Sequence, residues 1–145
     1  MKKELTPEQV ELLTSCSVNA VLATADRAGN PNTAPVHLMW AKDINTIIVA
    51  LATRHQSSDN LKTQGRFSLS VMEADDQAFS VQGYGKLVRQ PMDANPHMSM
   101  FELTVQVVKP DTTPTVAVVS GVRTKKRSEK TDTFFTACFQ ELKAF

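Results

Sequence analysis

Polar and apolar positions along the chain first fall into a helical spacing. Thr6 stands where a cap is needed, Pro7 suits a first helical position, and Gln9 completes a T-x-x-Q capping box. Val10 and Leu13 then share a face, which predicts a short amphipathic helix over about 7–15. The period changes to two after that. Residues 18–25 are rich in apolar and β-branched side chains and run into the turn cluster Asp26-Arg27-Ala28-Gly29-Asn30-Pro31. Residues 32–41 alternate, with Val36, Leu38 and Trp40 on one side and Thr33, Pro35, His37 and Met39 on the other, predicting a single strand. Pro35 cannot donate to a ladder, so that strand belongs at an edge or a bulge. After a turn at 42–45, residues 46–52 are almost all apolar and predict a strand buried on both faces. Tight turns would join these three strands as a meander.

A polar loop at 53–58 breaks the pattern, and 58–63 suffices for one or two helical turns capped by Ser57 or Ser58. Alternation resumes at 66–72 with Phe67, Leu69 and Val71 on one face. An acidic turn at 73–77 leads to a strand at 78–89 that contains Gly83 and Gly85. Glycines inside a strand mark a bend, a bulge or a close backbone approach. A connection at 90–99 precedes strands at 101–108 and 115–121. A helix over about 131–143 closes the chain, its stripe made by Phe135, Cys138, Phe139 and Leu142 with Phe134 on the flank. The expectation is a mainly β protein with short helices, one domain over 1–145, its strands closing into an antiparallel barrel.

Composition narrows the function classes. The 145 residues are 41% apolar and 21% charged, with a net charge of +1. That balance suits a globular chain and gives no overall field toward nucleic acid or an anionic membrane. No apolar run reaches the ~20 residues a membrane helix needs, and the first residues lack the apolar centre of a secretory leader. A cytoplasmic protein with no nucleic-acid or membrane partner is expected. Cys16 and Cys138 lie far apart in apolar-patterned segments and read as free thiols, and His37, His55 and His97 have no metal-ligand spacing, so no metal is expected. The basic run 123–130 reads as a solvated loop before the last helix. No paired carboxylates and no Ser-His-Asp or Cys-His set can be assembled, so catalytic residues stay unassigned.

Three blocks carry a resemblance: residues 20–31 (AVLATADRAGNP), 34–38 (APVHL) and 58–70 (SDNLKTQGRFSLS). In order and spacing over roughly 18–89 they resemble the pyridoxamine-phosphate-oxidase-like FMN-binding split barrels. The resemblance implies a six- to seven-stranded antiparallel Greek-key split barrel, a homodimer, and FMN as the cofactor, held as a small-molecule ligand at the dimer interface. It also implies that the second and third strands and the loop entering the short helix grip the FMN phosphate. Here those positions are Pro35, Val36, His37 and Leu38, then Ala50, Leu51, Ala52, Thr53, Arg54, His55, Gln56 and Ser57, and finally Asn60. The longer oxidases of the family carry Arg and Lys where this chain has Ala34, Met39, Gln56 and Ser57, while Arg54, His55 and His37 lie close by in sequence. Two functions follow from the resemblance. One is an FMN-dependent oxidoreductase of unassigned substrate. The other is a non-catalytic split-barrel dimer that binds deazaflavin, haem or another ligand, or no cofactor.

Overall fold

In the computed structural model, which describes all of residues 1–145, the strands are β1 Ala20–Ala25, β2 Pro31–Val36, β3 Met39–Asp43, β4 Thr46–Ala52, β5 Arg66–Glu73, β6 Gln77–Arg89 and β7 Met98–Pro110. The helices are α1 Pro7–Leu13, α2 Gln56–Thr63 and α3 Glu129–Ala144. The strands make one 7-stranded antiparallel sheet in the order β2-β1-β5-β6-β7-β4-β3. Its two outermost strands are consecutive in the chain, with only His37 and Leu38 between them. Six inter-strand spacings would hold them about 29 Å apart in a flat sheet. The three peptide steps from Val36 to Met39 reach at most about 11 Å. The sheet therefore has to curl until its ends meet, and the result is a split barrel.

That constraint corrects two expectations. The single strand foreseen at 32–41 is two strands on opposite edges of the sheet, because the chain crosses the split at 37–38. The meander is likewise replaced: β1 pairs with β2 and β3 with β4, while β2 and β3 are not ladder neighbours. Val36 and Met39 consequently sit in the main core and Leu38 in an outer cluster, so the even alternation does not continue through the link. Pro35 lies on an edge strand, where its missing N–H is tolerated.

The strand expected at 115–121 is absent, and those residues run as an extended arm. The number seven survives because one strand was split and another was lost. α2 begins earlier than foreseen. Its N-cap is His55, with no side-chain cap bond, and Ser57 and Ser58 are buried in its first turn. α1 has its full capping box, Thr6 and Gln9 each bonding the other's backbone N–H. Ser128 caps α3 by accepting from the Thr131 N–H.

Ile47, Val49 and Leu51 of β4 point into the barrel with Leu22, Leu69, Val81, Phe101 and Leu103, and Leu13 of α1 joins them. The alternate residues Ile48 and Ala50 face outward and are covered by Cys138, Phe139 and Leu142 of α3. β4 is thus buried on both faces. Burying a side chain such as Leu142 contributes about 2 kcal/mol, which fixes α3 on this side of the barrel. Both cysteines are free, and burial pushes the Cys138 thiol up to about 11. No helix is long and apolar enough to cross a membrane.

Candidate functional site

The split between β2 and β3 is the one place where the barrel wall is a two-residue link. Beside it the Ala50 N–H donates to the Leu38 carbonyl at 3.0 Å, so the link is held against β4. A cleft of about 160 Å³ opens there. It is lined by Pro35, Val36, His37 and Leu38 of the link, Ala50, Leu51 and Ala52 of β4, and His55 at the cap of α2. Eight of the thirteen residues proposed from the sequence therefore converge on one apolar hollow. Met98, Phe134 and Phe135 complete it.

The other five are not in its lining. The Thr53 hydroxyl bonds Ser99 Oγ at 2.7 Å. Gln56 Nε2 donates to Asn60 Oδ1 at 2.7 Å, Asn60 Nδ2 donates to Thr24 Oγ1 at 3.0 Å, and Ser57 Oγ accepts from Asn32 Nδ2 at 3.1 Å. Asn60 and Ser57 are buried, and these bonds tether α2 to β1 and β2. Ser58, also buried, donates to the Ala52 carbonyl and closes the elbow on itself. Arg54 is exposed and makes no ion pair, so its charge is free at the rim beside His55.

His37 is the polar centre of the region, and its state follows from a chain of fixed partners. The Val122 carbonyl can only accept, so Asn19 presents Nδ2 to it at 2.8 Å and turns Oδ1 toward His37. Oδ1 in turn accepts from His37 Nδ1 at 2.6 Å. Burial lowers the imidazole below its ordinary value, favouring the neutral ring. The proton of that neutral ring is then on Nδ1, and Nε2 is left with a lone pair and no partner within the chain. Phe135 stacks on the ring with centroids 6.3 Å apart, and Lys126 Nζ stands 5.2 Å from the Phe135 centroid on its face. Such a ring accepts a hydrogen bond or a proton.

A larger hollow of about 450 Å³ shares His37 and Phe135 with the cleft and is otherwise lined by Thr124, Lys125, Lys126, Arg127 and Thr131. Sequence reading missed these residues, as it missed Phe134, Phe135 and Asn19. A signal was present in the neighbouring pair Phe134-Phe135, since adjacent residues of a helix are about 100° apart and cannot both serve one buried stripe. Trp40 and Tyr84 are elsewhere: Trp40 flanks the outer cluster under Lys143, and Tyr84 is exposed and accepts from Arg66.

A family model described as pyridoxamine 5'-phosphate oxidase matches residues 5–120. A search of curated protein sequences gives no match. Among solved structures, a Lactobacillus delbrueckii protein described as a candidate pyridoxamine 5'-phosphate oxidase is 25% identical with a TM-score of 0.61, over 74% of this chain and 98% of that one. An F420 reductase is 17% identical with a TM-score of 0.62, over 73% and 100% of the two chains. An FMN-binding protein from Syntrophomonas wolfei is 17% identical with a TM-score of 0.55, over 73% and 86%. At those last two identities the likeness is one of fold.

Proposed function

Because the chain belongs to the pyridoxamine 5'-phosphate oxidase family, we propose that it binds FMN as an oxidoreductase-like protein, in a site completed by a second copy of itself. The observation that carries this reading is the convergence of Pro35 to Leu38, Ala50 to Ala52 and His55 on one apolar cleft. Its chemistry suits a flat, largely apolar ring, with Phe134 and Phe135 as aromatic walls. The free guanidinium of Arg54 and the uncapped N-terminus of α2 suit an anion at the rim. At about 160 Å³ the cleft is smaller than the roughly 300–1,000 Å³ of a complete small-molecule site, which is what half of a shared site requires. Bound FMN would supply the electron-transfer chemistry at its ring. The chain's own part is to exclude water with Leu38, Leu51 and the two phenylalanines and to orient the ligand from backbone groups. His37 Nε2 would accept a hydrogen bond or proton from whatever lies beside it.

Titration of the protein with FMN tests this. Saturable quenching of flavin fluorescence at micromolar protein is expected, and Arg54→Ala should weaken it about tenfold, the size of a lost charge-assisted bond. Flavin fluorescence that ignores the protein up to about 100 µM would sink the proposal.

One observation favours a second reading. Ala34, Met39, Gln56 and Ser57 stand where the longer oxidases carry cations, and the Ser57 and Asn60 side chains are engaged in tethering α2. This supports a non-catalytic split barrel that binds deazaflavin, haem or another ligand, or no cofactor. A haem or deazaflavin absorbance shift in a protein indifferent to FMN would decide for it.

A further inference from the structure

The segment 122–128 is pinned at both ends. At its start the Asn19 amide holds the Val122 carbonyl at 2.8 Å, and Arg123 donates twice to the buried Glu73 carboxylate, at 2.7 and 3.0 Å. At its end Ser128 caps α3. Arg123 is thus neutralised, but its neighbours are not. Lys125, Lys126 and Arg127 take part in none of the chain's ion pairs, which engage only Lys86, Arg89, Lys109 and Arg123 as cations. Glu129 and Asp132 in the first turn of α3 answer its dipole without pairing to these three side chains.

The three cations converge on the hollow of about 450 Å³, a volume in the range of small-molecule sites. The hydroxyl-bearing Thr124 and Thr131 lie in its wall, with His37 and Phe135 between it and the apolar cleft. The backbone of this loop is fixed at both ends, which leaves the exposed side chains to be ordered when an anion binds. The two rings of the hollow, His37 and Phe135, stack on each other, which makes it a poor platform for a run of stacked bases. Its wall combines His37, inside the matched segment 5–120, with six residues that lie beyond it.

We infer that this hollow binds a small molecule carrying two or more negative charges, a phosphate ester or a polycarboxylate, whose charge is taken by Lys125, Lys126 and Arg127. The site goes beyond the flavin reading and stands whether or not FMN occupies the cleft.

Calorimetry of the wild-type protein at low salt tests it, with inorganic pyrophosphate and citrate as the two probes. Saturable binding of at least one probe, one per chain, is expected, and the preferred probe tells a phosphate from a carboxylate ligand. Lys125→Ala/Lys126→Ala/Arg127→Ala should weaken that binding about tenfold or more. The control Lys3→Ala/Arg27→Ala/Lys62→Ala removes the same charge from exposed positions elsewhere and should leave it within about twofold. FMN affinity should be unchanged in the loop variant. Absence of binding by both probes, or equal weakening by the control, overturns the site. Loss of FMN affinity in the loop variant overturns it as well, since it assigns the hollow to the flavin phosphate. Wild-type protein that binds pyrophosphate but not FMN sinks the flavin reading and leaves this one standing.

Discussion

At Gly83 the backbone of β6 passes so close to β7 that a β-carbon would stand 1.9 Å from the Thr104 carbonyl oxygen. The obstacle is backbone, which cannot swing aside as a side chain could. The ladder slips at this point, between Gln82 and Gly83, so the glycine marks a bulge where the barrel wall turns. Gly83→Ala should therefore destabilise by about 3 kcal/mol or more, read as a lower urea midpoint at unchanged m-value. A loss below about 1 kcal/mol would mean the strands part at little cost. The need for glycine here was legible from the sequence, because a strand gives up side-chain packing at a glycine and gains from it only where the backbone bends or is closely approached. Asn60 was legible only as a position. Its placement in the family's block pointed to a ligand, whereas its amide is spent on Thr24 and Gln56, partners that only the folded β1 and α2 bring together.

The arm at 115–121 shows why an element can be misread when its residues are read correctly. Thr115, Val116, Val118 and Val119 are β-branched and suit a pleated surface. A strand also needs a run of ladder bonds to a neighbour, and at the end of the β5–β6 hairpin that β1 leaves unpaired, beyond Ser70, the arm makes only single contacts. The arm therefore fastens to the hairpin turn instead. Val118 exchanges two bonds with Asp76, and the Gly121 N–H and Arg123 guanidinium both donate to Glu73. The Arg123 hydrogen bonds hold the Glu73 carboxyl below its ordinary range, against the opposing effect of burial. A carboxyl depressed in the folded state stabilises above its unfolded value, here 4.5, and loses that contribution as pH falls through the folded value. Glu73→Gln should accordingly lower Tm at pH 7, with the gap to wild type narrowing below about pH 4. A gap that stays constant from pH 7 to pH 3 would refute the assignment of the arm's anchor to this carboxylate. The split at 37–38 was illegible for a related reason. The pattern of residue types alternates straight through it although the side chains in the fold do not, and the crossing is imposed by closure of the whole sheet.

The same closure leaves the molecule with an unbalanced surface. Val21 of β1 lies opposite Ser70 in the ladder, and Met72 is two residues further along β5, so both point outward from the same part of the sheet. The arm runs beside them, for a β-carbon at Gly121 would meet the Met72 carbonyl at 2.5 Å. It adds Val116, Val119 and Val122, exposed at 69%, 85% and 65%. Val122 is bonded to the Asn19 that orients His37, so this apolar strip ends near one residue of the cleft's lining. An occupant of the strip would add to the wall of the 160 Å³ cleft if the proposed shared site holds, and a second copy would bring the same strip and cleft with it in an isologous contact. We expect sedimentation equilibrium at micromolar protein to give twice the chain mass of 16.0 kDa. Val119→Glu changes a side chain that touches little within its own chain, so the fold should persist by circular dichroism while the mass falls toward one chain. FMN affinity should fall with it, because the second wall leaves with the partner. A wild-type monomer would remove the shared-site premise. A Val119→Glu dimer of full strength would move the contact to another face of the barrel.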